Sequence, residues 1–178
     1  MNCKCLLSCR NRVRRFAASD GFTLMELLIV IAIILILMLM AIPTIGVMKK
    51  HASELSAINS LRAITQAEIQ YESTYPANGY ACSLSSLGGD PGSGPPSPTS
   101  AQLIGADLAS GYKQGYLFNI TNCQKVTING TDKITAYTVT AVPQAVGKTG
   151  DRGFCTDQFG GAAKYDPAGG TNCTQLLQ

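Results

Sequence analysis

The chain has 178 residues, 46% hydrophobic and 14% charged, which is room for one domain with an appendage and too apolar for wholesale disorder. Its formal charge of +3 is local: residues 1–21 hold Lys4, Arg10, Arg12, Arg14 and Arg15 against Asp20, and the other 157 residues carry nine basic and ten acidic side chains. A near-neutral body excludes a binder built on a broad basic face, so no nucleic-acid partner is expected.

The basic leader runs into an apolar stretch. From Leu27 to Met48 there are 22 residues without a charge, interrupted only by Pro43, Thr44 and Gly46. As a helix this run would be about 33 Å long, against a hydrocarbon core of roughly 30 Å. The apolar region of a secretory signal peptide is only ~7–15 residues and ends at a small-x-small site; this run is longer and nothing of that kind closes it, so it reads as a retained membrane span. The Lys/Arg excess on its N-terminal side places the N-terminus in the cytoplasm and the rest of the chain in the periplasm or outside. Glu26 stands at the mouth of the stretch. An acid at the centre of a bilayer costs about 2.5–3.5 kcal/mol or more, so Glu26 either reaches interfacial water or has a partner, and its position alone leaves both open.

Beyond the span, Lys49 to Tyr75 keeps a helical pattern: Leu55, Ile58, Leu61 and Ile64, then Ile69 and Tyr71, with Glu54, Arg62, Glu68 and Glu72 expected on other faces. Pro76 and Asn78-Gly79 stop it. One helix is thus predicted from about Leu24 to Tyr75, its second half lying along a sheet. Residues 88–100, rich in Gly, Pro and Ser, read as an exposed loop, and Ala106–Ser110 as a short helical turn. Strand signals follow at 115–122, 134–142, 152–156 and 162–165, with Asn129-Gly130 as a hairpin turn. The expectation is an α+β fold, a long helix packed on a small antiparallel sheet of about four strands.

Four cysteines at wide spacing in the body, Cys82, Cys123, Cys155 and Cys173, point to two disulfides and an oxidising compartment, and their spacing admits three pairings. A zinc site would need close cysteine pairs or histidines; the body has no such pair, and His51 is the single histidine, expected at the surface. Asp151, Asp157 and Asp166 lack EF-hand spacing and read as solvated turn acids. No metal or cofactor is expected. One histidine without a Ser or Cys partner, no nucleophile elbow and no phosphate loop argue against an enzyme. The leader cysteines Cys3, Cys5 and Cys9 have no assigned role: Leu6-Leu7-Ser8-Cys9 lacks the preceding apolar region of a lipidation signal.

Gly21-Phe22-Thr23-Leu24-Met25-Glu26-Leu27-Leu28-Ile29-Val30, behind a basic leader and opening a long apolar helix, resembles the processing signal of type IV pilins and pseudopilins. The resemblance implies that a membrane-embedded prepilin peptidase cuts between Gly21 and Phe22 and that Phe22 becomes the N-methylated N-terminus. Glycine before the cut lets the peptide enter a cleft in extended form. In an assembled fibre the new amine would meet the Glu26 carboxylate of a neighbouring subunit, a pairing whose value is register, because an unpaired Glu26 would be a buried lone charge. Pro43, with Gly46 after it, corresponds to the helix-loosening kink of many such subunits.

The implied organisation is a leader at 1–21, a long helix at 22–75 with its membrane span at about 27–48, and a globular β domain at 76–178. Partners would be further copies joined through their N-terminal helices, the prepilin peptidase, and the inner-membrane pilus or secretion assembly machinery. The precursor would sit in the inner membrane and the product in an extracellular pilus. Tyr137–Pro143 and Gly153–Gly160 resemble the closing strands of short pilins and pseudopilins; by the same resemblance Cys155 and Cys173 close a C-terminal loop, leaving Cys82 with Cys123. Two alternatives compete. One is a pseudopilin of a type II secretion system, built from the same parts in the periplasm. The other is an unprocessed single-pass membrane protein with an exterior binding domain, which predicts no cut at Gly21 and no special need for Glu26.

Overall fold

The computed structural model describes residues 21–128, 130–160 and 163–177, with the side chains of 40–44 outside the described set. Residues 1–20 of the leader, with Cys3, Cys5 and Cys9, as well as Asn129 and Ala162, therefore lie outside the description. The chain divides into two units between Ala41 and Ile42.

One helix, α1 (Leu24–Thr74), has its N-terminal part in the first unit and the remainder in the second. It stops within a residue of the expected end, because Pro76 offers no backbone N–H to continue it and the chain turns through Asn78 into Gly79 at φ +75°. In the second unit α1 buries Ala57, Ile58, Leu61, Ile64, Ala67 and Tyr71. Two expectations fail on this face. Leu55 and Ile69 are 60% and 55% exposed, whereas Glu54 and Glu68, assigned to other faces, are 5% and 0% exposed. Helical geometry gives the reason. Three residues turn the helix by about 300°, so a row spaced by three slews ~60° per step and Leu55 ends up opposite Ile64. Positions seven apart nearly coincide, which places Glu54, Leu61 and Glu68 on one stripe.

The sheet has six antiparallel strands in sequence order: β1 (Tyr112–Lys113), β2 (Tyr116–Ile128), β3 (Thr131–Pro143), β4 (Gly153–Asp157), β5 (Lys164–Asp166) and β6 (Gln175–Leu176). The expected count of about four omits β1 and β6, two-residue edge strands too short to carry a period-two pattern. Tyr116, Phe118 and Ile120 on β2 alternate inward to meet Tyr137, Val139 and Ala141 on β3 and Phe154 on β4, and this face covers α1. β2 and β3 extend beyond the predicted 115–122 and 134–142, pairing as far as Ile128 opposite Thr131. Most of that outer part is exposed or half-buried on both faces, so no alternation marks it. The chain reverses there through Gly130 at φ +79°, the glycine of the predicted turn.

Two short helices, α2 (Leu84–Leu87) and α3 (Ala106–Ala109), close the core with Leu84, Leu87, Ile104 and Leu108. The loop between them is mostly exposed, as its composition predicted, although Pro91–Ser93 makes one 3-10 turn. The arrangement is α+β, a long helix packed on an antiparallel sheet.

Candidate processing and assembly site

Gly21, Phe22 and Thr23 precede the helix. Thr23 caps it: its Oγ1 accepts the Glu26 N–H at 3.2 Å, and its carbonyl accepts the Leu27 N–H at 3.2 Å. Thr23-Leu24-Met25-Glu26 is the Ser/Thr-x-x-Glu spacing of a capping box, in which a short hydroxyl satisfies an orphan donor of the first turn. This role of Thr23 was not among the expectations from sequence, though the spacing was its signal. Because the cap falls at Thr23, the Gly21–Phe22 peptide bond stays outside the helix. Among the described residues no atom lies within 4 Å of where a Cβ on Gly21 would stand, and Phe22 is 80% exposed. A protease cleft can take an extended strand there without first unwinding a helical turn.

Glu26 is exposed in the first turn of α1, where the partial positive charge of the helix N-terminus favours an anion. The large apolar side chains from Leu27 to Leu39 are all exposed, on every side of the helix. Among the described residues no helix is long and apolar enough to cross a membrane. The apolar run of the sequence continues through residues 40–44, whose side chains are outside the described set, to Met48; the span at 27–48 therefore rests on the sequence. Pro43 and Gly46 both fall inside α1, and among the described residues Gly46 has no atom within 4 Å of a notional Cβ.

In the second unit the cysteines pair as the resemblance implied. Cys82 bonds Cys123 and Cys155 bonds Cys173, each with Cα atoms 6.0 Å apart. The first joins the segment after α1 to β2, and the second joins β4 to the C-terminal segment before β6. The three aspartates serve separate local roles. Asp151 pairs with Lys50 at 2.9 Å, Asp157 accepts the Phe159 N–H, and Asp166 accepts the N–H groups of Ala168 and Asn172. Among the described residues no group of three or more His, Cys, Asp or Glu side chains is placed to hold a metal ion. His51 is exposed.

Residues that sequence reasoning did not single out are the two buried acids of α1. Glu54 Oε1 accepts the N–H groups of Asp151 and Arg152, and Oε2 faces the Arg152 guanidinium at 2.6 Å. Burial pushes its pKa up, but the Arg152 bond and charge together with the two backbone donors outweigh this and hold it below 4.5. Glu68 has the opposite balance. Burial drives its pKa to about 8 against a single opposing bond from the Ala81 N–H.

No curated protein sequence and no solved structure gave a significant match to the chain. A family model does match: residues 17–42 fit the prokaryotic N-terminal methylation motif. The matched stretch covers the end of the leader, the Gly21–Phe22 junction, the Thr23 cap, Glu26 and the exposed apolar part of α1, so the chain carries the prepilin-type cleavage and methylation motif of type IV pilins and pseudopilins.

Proposed function

We propose that this chain is a structural subunit of a type IV pilus-like surface filament, cut between Gly21 and Phe22 by prepilin peptidase, methylated on Phe22 and assembled through the apolar N-terminal part of α1. The observation that carries the reading is that part of α1 itself. Thirteen successive residues from Leu27 to Leu39 are uncharged and exposed around the whole helix. Such a surface is stable only in lipid or against other apolar helices, and a subunit held in the membrane and then packed into a helical bundle meets both in turn. The cut frees a positive amine at Phe22, and Glu26 four residues on supplies the anion for the amine of an adjacent subunit. In a low-dielectric bundle that pair fixes register, since any other offset leaves a charge unpaired. Pro43 removes one backbone donor and Gly46 adds backbone freedom, which gives α1 a place to adjust during packing.

The second unit supports an exterior destination. Its two disulfides belong in an oxidising compartment, and the basic leader orients the precursor with that unit across the inner membrane. The test is intact-mass and N-terminal analysis of the protein from its native host, made separately on sheared surface material and on membranes. A methylated Phe22 N-terminus in the sheared fraction is the expected result. The same N-terminus confined to membranes would favour a pseudopilin of a secretion system, and an uncut leader would overturn the reading.

A further inference from the structure

Ion pairs fix the direction of the sheet along α1 within the second unit. Lys133, early in β3, pairs with Glu72 at 3.0 Å, whereas Asp151 and Arg152, just before β4, pair with Lys50 and Glu54. Residues 50 and 72 are about 33 Å apart along the helix, and a strand from Lys133 to Pro143 covers about the same distance. β3 therefore brings the β3–β4 loop, residues 144–152, to the end of the unit where α1 emerges from the apolar run. That run ends at Met48. Ile45, Val47 and Met48 are exposed there, and Lys49 is exposed directly after them.

The loop beside Lys50 is a closed turn. The Thr149 hydroxyl accepts the Ala145 N–H at 3.1 Å, and the Gly147 N–H donates to the Gly150 carbonyl at 2.9 Å. The turn carries Val146, 58% exposed, and Lys148, also exposed. Lys148 is three residues from Asp151, so its Cα lies within about 11 Å of that of the Lys50 partner. The Gln144 N–H donates to the Gly115 carbonyl at 2.9 Å, which brings Lys113 on β1 to the same end. Glu54 and Asp151 are each taken up by a cation, and Asp166 is buried on backbone N–H groups. Among the described residues Lys49, Lys113 and Lys148 have no acidic partner. A body that is near neutral by composition thus gathers unpaired positive charge at the end next to the apolar run.

We propose that this end of the second unit is a docking face for an anionic phospholipid surface, an inference that rests on the membrane-held precursor of the proposed function. Lys49, Lys113 and Lys148 meet lipid phosphates, and Val146 enters the boundary between headgroups and acyl chains. An acidic protein could engage the same lysines. Lipid is favoured because the bilayer that covers Ile45, Val47 and Met48 already places its headgroups beside Lys49. Each lysine near such a surface raises affinity about fivefold, and the closed turn leaves little disorder to be lost on docking. The face would hold the second unit in one pose over the membrane until the subunit is drawn into a filament.

The experiment places the full precursor, both disulfides intact, in lipid nanodiscs and follows its Ile and Val methyl groups by NMR. One set of discs carries a spin label on the lipid headgroup and another carries it deep in the acyl chain. In discs containing phosphatidylglycerol the headgroup label should broaden Val146 and leave Ile128, at the opposite end of the sheet, sharp. Discs of phosphatidylcholine alone, high salt, or Gln at positions 49, 113 and 148 together should each reduce the Val146 broadening severalfold. The deep label should broaden Ile36 throughout. Broadened Ile36 with a sharp Val146, or Val146 broadening indifferent to lipid charge and to the lysine variant, would overturn the proposal alone. A sharp Ile36 would overturn the membrane-held reading and the proposal with it. Sharp Val146 together with lost filament yield in the lysine variant would assign the lysines to contacts between copies instead.

Discussion

The Arg152 guanidinium closes on the Glu54 carboxylate with Nη2 2.6 Å and Nε 3.0 Å from the same oxygen. Between them the two side chains join the helix to the start of β4. The other carboxylate oxygen takes the N–H groups of Asp151 and Arg152, and the guanidinium also lies over the rings of Phe154 and Tyr165. Lys50, four residues earlier on the helix, adds a pair with Asp151.

Arg152→Ala should therefore destabilise the globular part. Glu54 is buried while Arg152 is about one-third exposed, which sets the cost between that of a buried and a surface pair, about 2 kcal/mol. Urea unfolding at neutral pH measures it. Because the folded Glu54 pKa lies below 4.5, its contribution is complete above 4.5 and is lost as pH falls through the lower folded value. Arg152→Ala should flatten that acid-side loss; an unchanged acid limb would refute the assignment.

At the processing site, replacing Gly21 with a bulky residue such as Leu should leave full-length precursor in the inner membrane. Among the described residues no atom stands within 4 Å of where the new Cβ would be, so a block is expected in the peptidase cleft. Immunoblotting for the size shift checks this, and normal processing would count against the peptidase reading.

The assembly role proposed for Glu26 can be separated by charge from its fit to the capping-box spacing. Glutamine serves at the third position of a capping box nearly as well as glutamate, yet it cannot form an ion pair with a neighbour's amine. Glu26→Gln should be cleaved normally and still lose filament yield as severely as Glu26→Ala. Wild-type yield of sheared filaments from Glu26→Gln would refute the charge-pairing role.

Thr23→Val removes the cap and should cost the first turn of α1 about 1 kcal/mol, with Thr23→Ser close to wild type. The readout is amide exchange at Glu26, whose N–H the hydroxyl accepts. Protection equal to wild type in the valine variant would show that the hydroxyl is idle.

Serine replacements of the disulfide pairs should differ in cost. The bridges span 41 and 18 residues, for which the chain-entropy model gives about 4 and 3 kcal/mol. Loss of Cys82–Cys123 should be the more damaging in urea unfolding. The reverse order would mean that native contacts, not loop closure, dominate.

The N-terminal region was largely legible, since a processing motif and an apolar run are written in consecutive residues, although the Thr23 cap went unread. Thr23 and Glu26 interact across a single helical turn. Along the body, alternation exposed the inner parts of β2 and β3, where one face meets α1, and gave nothing for β1, β6 or the outer β2–β3 hairpin, which have no buried face to alternate with. Glu54 and Glu68 were misplaced because a charged side chain is ordinarily read as a solvent marker, and only a count of seven along the helix would have put both beside Leu61.

By itself the sequence determined the processing motif, the apolar run, the helix stop at Pro76 and the number of body cysteines, because each depends on a residue type or a local spacing. Tertiary structure decided what depends on partners far along the chain. Glu54 meets Arg152 across 98 residues, and Glu68 meets Ala81 across a turn. Two carboxyls on one helical stripe thereby acquire opposite pKa shifts. One found a guanidinium and two backbone donors in the core and the other found a single N–H, and burial without a counter-charge favours the neutral acid.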